Sequence, residues 1–332
     1  SHSPLYMSTN QVPHAFDPNK DDLHGKVTDD FINFAIPDPA DREMMWQYFG
    51  YCMTPDNCLQ KFLIFKGQGG TGKSQLIKIV ESMVGYENIS NISLQQLDKQ
   101  FYPQMMLGKL LNSCADIPSK AMESVAEIKK ATGEDLMIAE KKGKDVFSFH
   151  SYAKLLFSAN EIPLNIDEKS EALYRRMLII KVDKKPEKKN PNLWEQLEKE
   201  INYSIMLAMQ ALNRMYKAGS IIESSNSIDR VQELYMEADT VTAFLFERTR
   251  IVDNKNTKSK ELYEEYIKYC EELGRKPSSP HGFHKSMKNK GYVKKRSAGF
   301  EKYEGIVILD PDHNDEFVSI ENIDKSSLPW EV

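Results

Sequence analysis

The clearest pattern of apolar and polar positions in the chain surrounds a glycine-rich stretch in its first quarter. Residues 61–65, which read KFLIF, are apolar enough for a buried strand. After the glycines, apolar residues recur at helical spacing, at Leu76, Ile77, Val80 and Met83. The pattern therefore predicts a strand, a tight turn and a helix in direct succession.

Further short apolar segments predict the remaining strands of a sheet, over residues 109–115, 154–158 and 177–182. These segments lack clean alternation and are separated by long connections, which favours a parallel sheet covered on both faces. Residues 136–149 have apolar flanks around a polar centre and read as a hairpin with Gly143 near its tip. The predicted fold class is therefore α/β.

Helical spacing also predicts helices on either side of this region. Residues up to about 30 are expected to be extended, and a helix follows from Ala40. A long helix is predicted over residues 193–218, and a further one over residues 227–247. We divide the chain into an N-terminal lead and helical segment, an α/β domain, a helical segment, a C-terminal domain and an acidic tail, which cover residues 1–58, 59–190, 191–248, 249–310 and 311–332.

The last third of the chain changes character. Two helices are predicted over residues 258–273 and 280–290, followed by strands over residues 292–295 and 303–309 around a turn. Two helices followed by a β-hairpin are what a winged helix-turn-helix requires. We therefore predict a winged helix in this domain.

Composition narrows the class of protein. The 332 residues are 40% hydrophobic and 28% charged, which is typical of globular domains. The net charge of −5 argues against a uniformly basic surface, so any contact with nucleic acid must come from local patches. No apolar run approaches the length of a membrane span, and the N-terminus lacks the plan of a signal peptide. The four cysteines form no C-x-x-C pair, which indicates free thiols and a cytoplasmic location, in a bacterial host or a virus-infected cell.

The glycine-rich stretch matches the phosphate-binding pattern G-x-x-x-x-G-K-[ST], with a strand and a helix on the required sides. Glycines let successive backbone N–H groups point at phosphate oxygens, and the helix N-terminus adds its dipole. Lys73 is expected to reach the β- and γ-phosphates from a solvent-facing position, and the Ser74 hydroxyl to hold Mg²⁺. We predict an ATP and Mg²⁺ site formed by Gly67, Gln68, Gly69, Gly70, Thr71, Gly72, Lys73 and Ser74.

Three later positions are candidates for the chemistry of this site. Asp116 ends a predicted strand and could hold the Mg²⁺ shell and the attacking water, or it could cap a turn. Asn160 ends the next strand, where its amide could orient the γ-phosphate or serve an ordinary turn. Arg175 and Arg176 could stabilise charge on the γ-phosphate, including that of a neighbouring subunit, although adjacent arginines are also common on surfaces.

Two groups of basic residues are candidates for contact with DNA. Lys141, Lys142 and Lys144 stand at the predicted hairpin tip, where they suit contact with phosphates or form a solvated face. The second group lies on the second helix and the wing of the C-terminal domain, and comprises Lys285, Lys288, Lys294, Lys295 and Arg296.

The order of these motifs resembles the superfamily-three helicases, and in particular the primase–helicases of phages, plasmids and poxviruses. The resemblance is carried by LLNSCAD, KKATGEDLMIAEKKGKDVFSF, KLLFSANEIP and ALYRRMLIIKV after the phosphate-binding loop, and by VPHAFDP near the start. It extends to ELYEEYIKYCEELGRKPSSPHGFHKSM and YEGIVIL in the last domain. The resemblance implies an AAA+-like P-loop motor with an N-terminal helical collar and a C-terminal winged helix.

Residue roles follow from the same resemblance. It implies that residues 67–74 are the Walker A loop, that Asp116 is the Walker B acid and that Asn160 is the sensor. It also implies that Arg175 or Arg176 is an arginine finger and that Lys141 and Lys142 contact DNA. Many relatives carry two adjacent acids in the Walker B strand, whereas Ala115 precedes Asp116 here. The group that positions the attacking water therefore stays open, and Glu123 and Glu161 are other acids nearby in sequence.

The function implied is that of an ATP-hydrolysing DNA helicase that translocates on single-stranded DNA as a homo-oligomeric, hexameric ring. The setting is replication of a mobile element or virus, with origin duplex DNA as a further candidate partner. No primase signature is present, so a priming domain or partner is expected outside this chain. The alternatives are an ATPase that binds or loads at an origin without unwinding, and a P-loop kinase for small molecules.

Overall fold

The computed structural model describes residues 9–15, 24–115, 117, 126–133, 135–140, 143, 145–162, 171–297 and 299–309. The chain forms two compact units, residues 1–232 and 233–332. The division falls within a helix that spans Ser225–Ala238. The finer five-part division proposed from the sequence stays a prediction.

The first unit contains a parallel sheet and a separate hairpin. Its described strands are β1 (Phe62–Lys66), β2 (Ile89–Ser90), β3 (Leu111–Cys114), β4 (Leu136–Ala139), β5 (Phe147–His150), β6 (Lys154–Ala159) and β7 (Met177–Lys181). Five of them form one sheet in the order β2-β3-β6-β1-β7, and every neighbouring pair is parallel. The predicted parallel sheet of an α/β fold is therefore confirmed.

The described helices of the first unit are α1 (Lys26–Ala35), α2 (Pro39–Cys52), α3 (Lys73–Val84), α4 (Ala126–Thr132), α5 (Glu171–Tyr174), α6 (Leu193–Lys199), α7 (Ile201–Ala218) and α8 (Ser225–Ala238). Side chains on both faces of β1 are buried, since Phe62, Leu63, Ile64 and Phe65 are all 0% exposed. Helices α2, α3 and α7 share one core cluster with the sheet. The apolar run of β1 is therefore explained by its interior place in the sheet, between β6 and β7.

The hairpin predicted over residues 136–149 is confirmed, since β4 and β5 pair in antiparallel register. Gly143 has a φ of +73° between them, a left-handed conformation that suits glycine. One face of the hairpin buries Met137 and Phe149. The other leaves Leu136 and Ile138 exposed.

Three sequence-based expectations about helices were wrong, and side chains that cap helices explain two of them. Residues up to about 30 were expected to be extended, but α1 begins at Lys26. The single helix predicted over residues 193–218 is divided at Glu200, whose carboxylate accepts hydrogen bonds from the backbone of Val27 and Thr28. The helix predicted over residues 227–247 is likewise divided at Asp239, whose side chain caps the helix that follows.

The second unit packs helices against a three-stranded antiparallel sheet. Its described elements after α8 are α9 (Thr240–Arg248), β8 (Thr249–Lys258), α10 (Ser259–Glu272), α11 (Pro280–Asn289), β9 (Lys294–Ser297) and β10 (Phe300–Ile308). The sheet order is β8-β10-β9. An aromatic cluster that includes Phe244, Tyr266 and Phe283 forms the core. Two helices followed by a hairpin were predicted, whereas β8 was not.

Candidate nucleotide-binding site

The glycine-rich loop connects the interior strand β1 to helix α3 at the carboxyl edge of the parallel sheet. The Gly67 amide donates to the carbonyl of Ala159, the last residue of the neighbouring β6, at 3.0 Å. Gly70 and Gly72 have φ values of +83° and +104°, which L-residues rarely adopt. A Cβ on Gly72 would also lie 3.0 Å from the Phe31 ring. These glycines are therefore required by backbone conformation and close packing.

Backbone N–H groups of the loop are available to an anion. Among the residues that the structure describes, the amides of Gly69 and Gly70 donate to no backbone carbonyl. A Cβ on either glycine would meet no atom within 4 Å, so the space over this part of the loop is open. The N-terminus of α3 adds its positive dipole end. The loop therefore fits the phosphate chain of a nucleotide.

Lys73 lies inside the loop rather than in solvent. Its ammonium group donates to the carbonyl of Gly67, to the carbonyl of Gln68 at 2.9 Å and to the Oδ1 atom of Asn160 at 3.2 Å. Lys73 is only 6% exposed, so the expectation of a solvent-facing side chain was wrong. Three oxygen acceptors account for the burial, because a charged amine is stable inside a protein only when it is hydrogen-bonded.

Asn160 is brought to this site by the strand order. Strand β6 is paired directly with β1, and Asn160 follows its last residue. The contact between Asn160 and Lys73 joins residues 87 positions apart in sequence. The structure therefore places a γ-phosphate candidate residue beside the loop lysine.

The hydroxyl side chains of the loop differ in their surroundings. Thr71 is buried, and its Oγ1 atom donates to the Gln68 carbonyl at 2.9 Å, which stabilises the turn. Ser74 is exposed in the first turn of α3, beside the open part of the loop. Ser74 therefore fits the role of a Mg²⁺ ligand supplied with the nucleotide.

The acidic candidates are placed only in part. Asp116 and Glu123 lie outside the described residues, although β3, which leads to Asp116, lies next to β6 and ends at Cys114. Glu161 is exposed at the same edge of the sheet, and its carboxylate lies 3.8 Å from the Lys66 ammonium. Glu161 is therefore the one of these acids whose position near the loop is described.

Arg175 and Arg176 have different environments. The Arg176 side chain is 8% exposed and donates to the carbonyl of Ala172 at 2.5 Å and to Gln60 at 2.9 Å. Burial, and then repulsion from Arg175, lower the pKa of Arg176. The Arg175 side chain is exposed.

Both arginines lie at the wrong edge of the sheet to reach the loop of their own chain. They precede β7, whose first residue pairs with Phe62 at the start of β1. The loop follows the other end of β1, five residues along the strand, which corresponds to about 17 Å. The Arg175 side chain is therefore free to act only on something other than its own loop.

The basic candidates for DNA contact fall into three classes. Lys141, Lys142 and Lys144 lie outside the described residues. Lys294 and Lys295 form ion pairs with Glu301 at 2.9 Å and Glu304 at 2.5 Å. Lys285 and Lys288 on α11 and Arg296 on β9 are exposed and form no ion pair with another described residue.

Sequence reasoning missed one neighbour of the loop. Residues 184–190 were interpreted as a solvated linker, but the Lys185 ammonium donates to the Gln68 side chain at 3.2 Å. The linker follows β7, which lies beside β1, and this adjacency is visible only in the strand order. Among the described residues, no helix is long and apolar enough to cross a bilayer.

Comparison with known proteins gives matches in both units. Residues 65–176 match the model of DUF5906, a family of unknown function, and residues 236–317 match the model described as poxvirus D5 protein-like. A protein of Acanthamoeba polyphaga mimivirus named "Putative helicase L207/L206" is 24% identical over 169 residues. That alignment covers 49% of this chain and only 18% of the mimivirus protein.

Solved structures show the same fold over most of the chain. Two apo structures of the NrS-1 C-terminal region superimpose with TM-scores of 0.54 and 0.53 at 15% sequence identity. They cover 93% and 92% of this chain, which in turn covers 79% of each of them. The resemblance to the phage and poxvirus primase–helicase family, predicted from the order of the motifs, is therefore confirmed.

Proposed function

We propose that the chain is the ATP-driven motor of a DNA helicase, which translocates on single-stranded DNA as a ring of identical subunits. The observation that carries the proposal is the contact between Lys73 and Asn160 at the carboxyl edge of the parallel sheet. It joins a glycine-rich loop, whose amides are free for phosphates, to a polar group that can report on the γ-phosphate. A contact between the buried Lys73 and the exposed Asn160 suits a site that distinguishes a triphosphate from a diphosphate.

The nucleotide would be held by the loop of residues 67–74. The amides of Gly69 and Gly70 donate to no backbone carbonyl among the described residues, the space beside both glycines is open, and the α3 dipole favours an anion at this end. Ser74 and Asp116 would hold Mg²⁺. A bound Mg²⁺ ion would neutralise the charge that develops on the phosphates. In the loaded site Lys73 would exchange its contacts with the loop carbonyls for β- and γ-phosphate oxygens.

Arg175, rather than Arg176, is the proposed arginine finger. Arg176 is occupied by Gln60 and Ala172 and is buried, so it supports the start of β7. Arg175 is exposed at the opposite edge of the sheet from its own loop. A finger in this position serves the site of a neighbouring subunit, which is the reason for proposing a ring.

DNA contacts are proposed at two places. Lys141, Lys142 and Lys144 stand between β4 and β5, in the hairpin whose exposed apolar face includes Leu136 and Ile138. In the second unit, which we interpret as a winged helix, Lys285 and Lys288 are exposed on α11. Neither lysine forms an ion pair with another residue of the described part of the chain.

The relatives support this proposal at the level of protein class. The mimivirus relative carries the name of a helicase, and the second unit matches a model named for a poxvirus protein. Any helicase activity, polarity or partner of those proteins is assigned to this chain only as part of this proposal. The structural relatives, at 15% identity, support the fold.

The test is to measure ATP hydrolysis with and without single-stranded DNA, together with displacement of a strand from a forked duplex. A helicase motor shows hydrolysis that rises with single-stranded DNA and displacement that requires ATP. DNA-stimulated hydrolysis without displacement would instead favour an origin-loading ATPase. A rate of ATP hydrolysis that is the same with and without single-stranded DNA would contradict the proposed motor and favour a P-loop kinase.

A further inference from the structure

Three lysines form a row across the outward face of the sheet in the second unit. Lys302 of β10 pairs with Lys258 of β8 on one side and with Lys295 of β9 on the other. Paired residues on neighbouring antiparallel strands project from the same face of a sheet. The opposite face is the buried one, because the next pair, Tyr303 and Thr257, is 1% and 7% exposed.

An exposed aromatic ring lies on the same face as the row. Phe300 precedes Lys302 by two residues on β10, so the two side chains share a face. The Phe300 side chain is 61% exposed, and the Lys258 ammonium lies 5.4 Å from the centre of its ring. We call the surface formed by Lys258, Lys295, Lys302 and Phe300 the lysine face.

The lysine face destabilises the folded sheet when no ligand is bound to it. Like charges placed directly opposite each other on neighbouring strands destabilise a sheet. Glu304 compensates in part, since a hydrogen bond from Lys295, together with the charge of Lys302, lowers its pKa. The lysine face therefore carries three positive charges and one negative charge. Beside them the apolar Phe300 ring is exposed to water, which is unfavourable. A ligand with several anionic groups and a planar apolar group would relieve both costs.

We propose that the lysine face binds single-stranded nucleic acid, with phosphates on the lysines and one base stacked on Phe300. An unpaired strand offers both groups at once, because its bases have free π-faces and its backbone carries regular charge. A duplex keeps its bases stacked and presents only phosphates to such a surface. The proposal goes beyond the nucleotide site and the β4–β5 hairpin, and it holds whether or not the chain hydrolyses ATP.

The role of the Phe300 side chain is tested with two fluorescein-labelled probes of equal length, an oligothymidine and an abasic strand with the same phosphates. Binding is measured by anisotropy without nucleotide, in the full chain carrying Lys141→Ala and Lys142→Ala so that the hairpin contributes little. Phe300→Leu should weaken oligothymidine binding about 5- to 150-fold, the usual range for one stacked base, and leave abasic binding unchanged. Phe300→Tyr, which keeps an aromatic ring, should bind oligothymidine like the parent.

The lysines are tested by Lys258→Gln together with Lys302→Gln. This variant should weaken both probes and reduce the slope of log affinity against log salt by about 0.7 for each phosphate that is no longer neutralised. Its melting temperature should stay level or rise, since repulsion across the strands is relieved. The matched control is Lys260→Gln with Lys268→Gln, which changes two exposed lysines of α10 that pair with Glu264 and Glu265.

Two outcomes overturn the proposal. One is a Phe300→Leu variant that binds each probe as tightly as the parent does, or that loses the same affinity for the abasic strand as for oligothymidine. The other is a lysine variant whose affinity and salt slope match those of the α10 control. Basal ATP hydrolysis, measured on the same variants, should be unchanged, so a failure here is distinguishable from a failure of the proposed motor.

Discussion

At the scale of single residues, the buried state of Lys73 affects how the loop responds to a ligand. Its ammonium group satisfies the carbonyls of Gly67 and Gln68 and the amide of Asn160. Phosphate oxygens would have to compete with these acceptors, so the nucleotide binding that we propose would be coupled to a rearrangement of Lys73 and Asn160. The lysine therefore also contributes to the stability of the empty loop.

Lys73→Ala should reduce the rate of ATP hydrolysis by several orders of magnitude, because the charge that would face the β- and γ-phosphates is removed. It should also lower the melting temperature, since the Gly67 carbonyl and the Asn160 amide oxygen lose this donor and a buried unpaired polar atom costs about 1–3 kcal/mol, whereas the Gln68 carbonyl keeps its hydrogen bond from Thr71. ATPase assays and thermal melting check both effects.

The control for this prediction is Lys185→Ala, which removes an exposed lysine that contacts the loop only through Gln68. We expect it to retain most of the hydrolysis and the full melting temperature. Hydrolysis near the wild-type rate in the Lys73→Ala protein would show that this loop does not drive the reaction.

Lys154 gives the first unit a dependence of stability on pH. The residue is 1% exposed, donates to the carbonyls of Thr54 and Tyr152, and lies over the Tyr51 ring. Burial lowers its pKa from 10.5 to about 8, although the nearby Cys52 opposes the shift. The native chain therefore releases this proton near pH 8, whereas the unfolded chain keeps it until about pH 10.5.

Because the unfolded state binds more protons in that window, this group makes the free energy of unfolding rise as pH increases from about 8 towards 10.5. The full rise is at most about 3 kcal/mol. Lys154→Met should remove the rise, and the difference between variant and wild type in urea unfolding from pH 7.5 to 9.5 isolates it from other groups. Parallel curves for the two proteins would contradict the assignment, and Lys185→Met is the exposed control.

At the scale of elements, one carboxylate joins helix α1 to the segment between α6 and α7 of the first unit. Glu200 accepts from Val27 N at 3.2 Å, Thr28 N at 2.7 Å and Thr28 Oγ1 at 2.8 Å. It therefore caps α1 from more than 170 residues away in sequence. Helix α1 in turn places Phe31 against Gly72 of the loop.

Glu200→Ala should destabilise the chain by about 0.5–2 kcal/mol, as the removal of other helix caps does. A lower urea midpoint without a change in slope would record this effect. Glu198→Ala, which removes a nearby exposed carboxylate on α6, should leave the midpoint unchanged. Equal midpoints for the two variants would argue against the cap.

The elements that the sequence predicted well are those with strong local patterns. The β1–loop–α3 unit, the β4–β5 hairpin and helices α10 and α11 follow from apolar spacing and from glycines at turns. Breaks at Glu200 and Asp239 could not be predicted, because each depends on a tertiary or capping contact inside an otherwise helical pattern. Strand β8 was missed because its sequence, TRIVDNKNTK, is mostly polar and lacks clean alternation.

The candidate site was predictable in its residue types but not in its geometry. The motif indicated the loop, and the positions after predicted strands indicated Asn160. The order of strands decides which of these positions meet, and sequence alone does not show that β6 lies between β1 and β3. The difference between the buried Arg176 and the exposed Arg175 likewise depends on the contact with Gln60.

At the scale of the whole molecule, the two family matches fall in different units. Residues 65–176 lie in the first unit and residues 236–317 in the second. Each unit has its own core cluster. The nucleotide chemistry that we propose belongs to the first unit, and the lysine face belongs to the second.

A shared site between subunits makes a prediction about mixtures. Arg175→Ala should leave nucleotide binding and melting temperature intact, and reduce turnover about a thousandfold or more, as the removal of an arginine finger does. Mixing this protein with the Lys73→Ala protein should restore part of the activity, because some interfaces then combine an intact loop with an intact Arg175. The assay is ATP hydrolysis by equal amounts of the two inactive proteins.

Arg176→Ala provides the contrast for this prediction. Because Arg176 is buried against Gln60 and Ala172, its removal should lower the melting temperature as well as the activity. No recovery in the mixture, alongside wild-type activity proportional to concentration down to the monomer range, would falsify the shared site.

The position of β6 has a mechanical consequence for such a motor. The strand runs from Lys154, shortly after the β4–β5 hairpin ends at His150, to Ala159, directly before Asn160. It is ladder-bonded on both sides, to β1 and β3, so it cannot stretch without breaking the sheet. Its six residues therefore act as a stiff rod about 20 Å long. A displacement of this strand together with the sheet would move Lys154, at the end nearer the hairpin, by as much as Ala159 at the phosphate end, and residues 151–153 would pass that movement on to the hairpin.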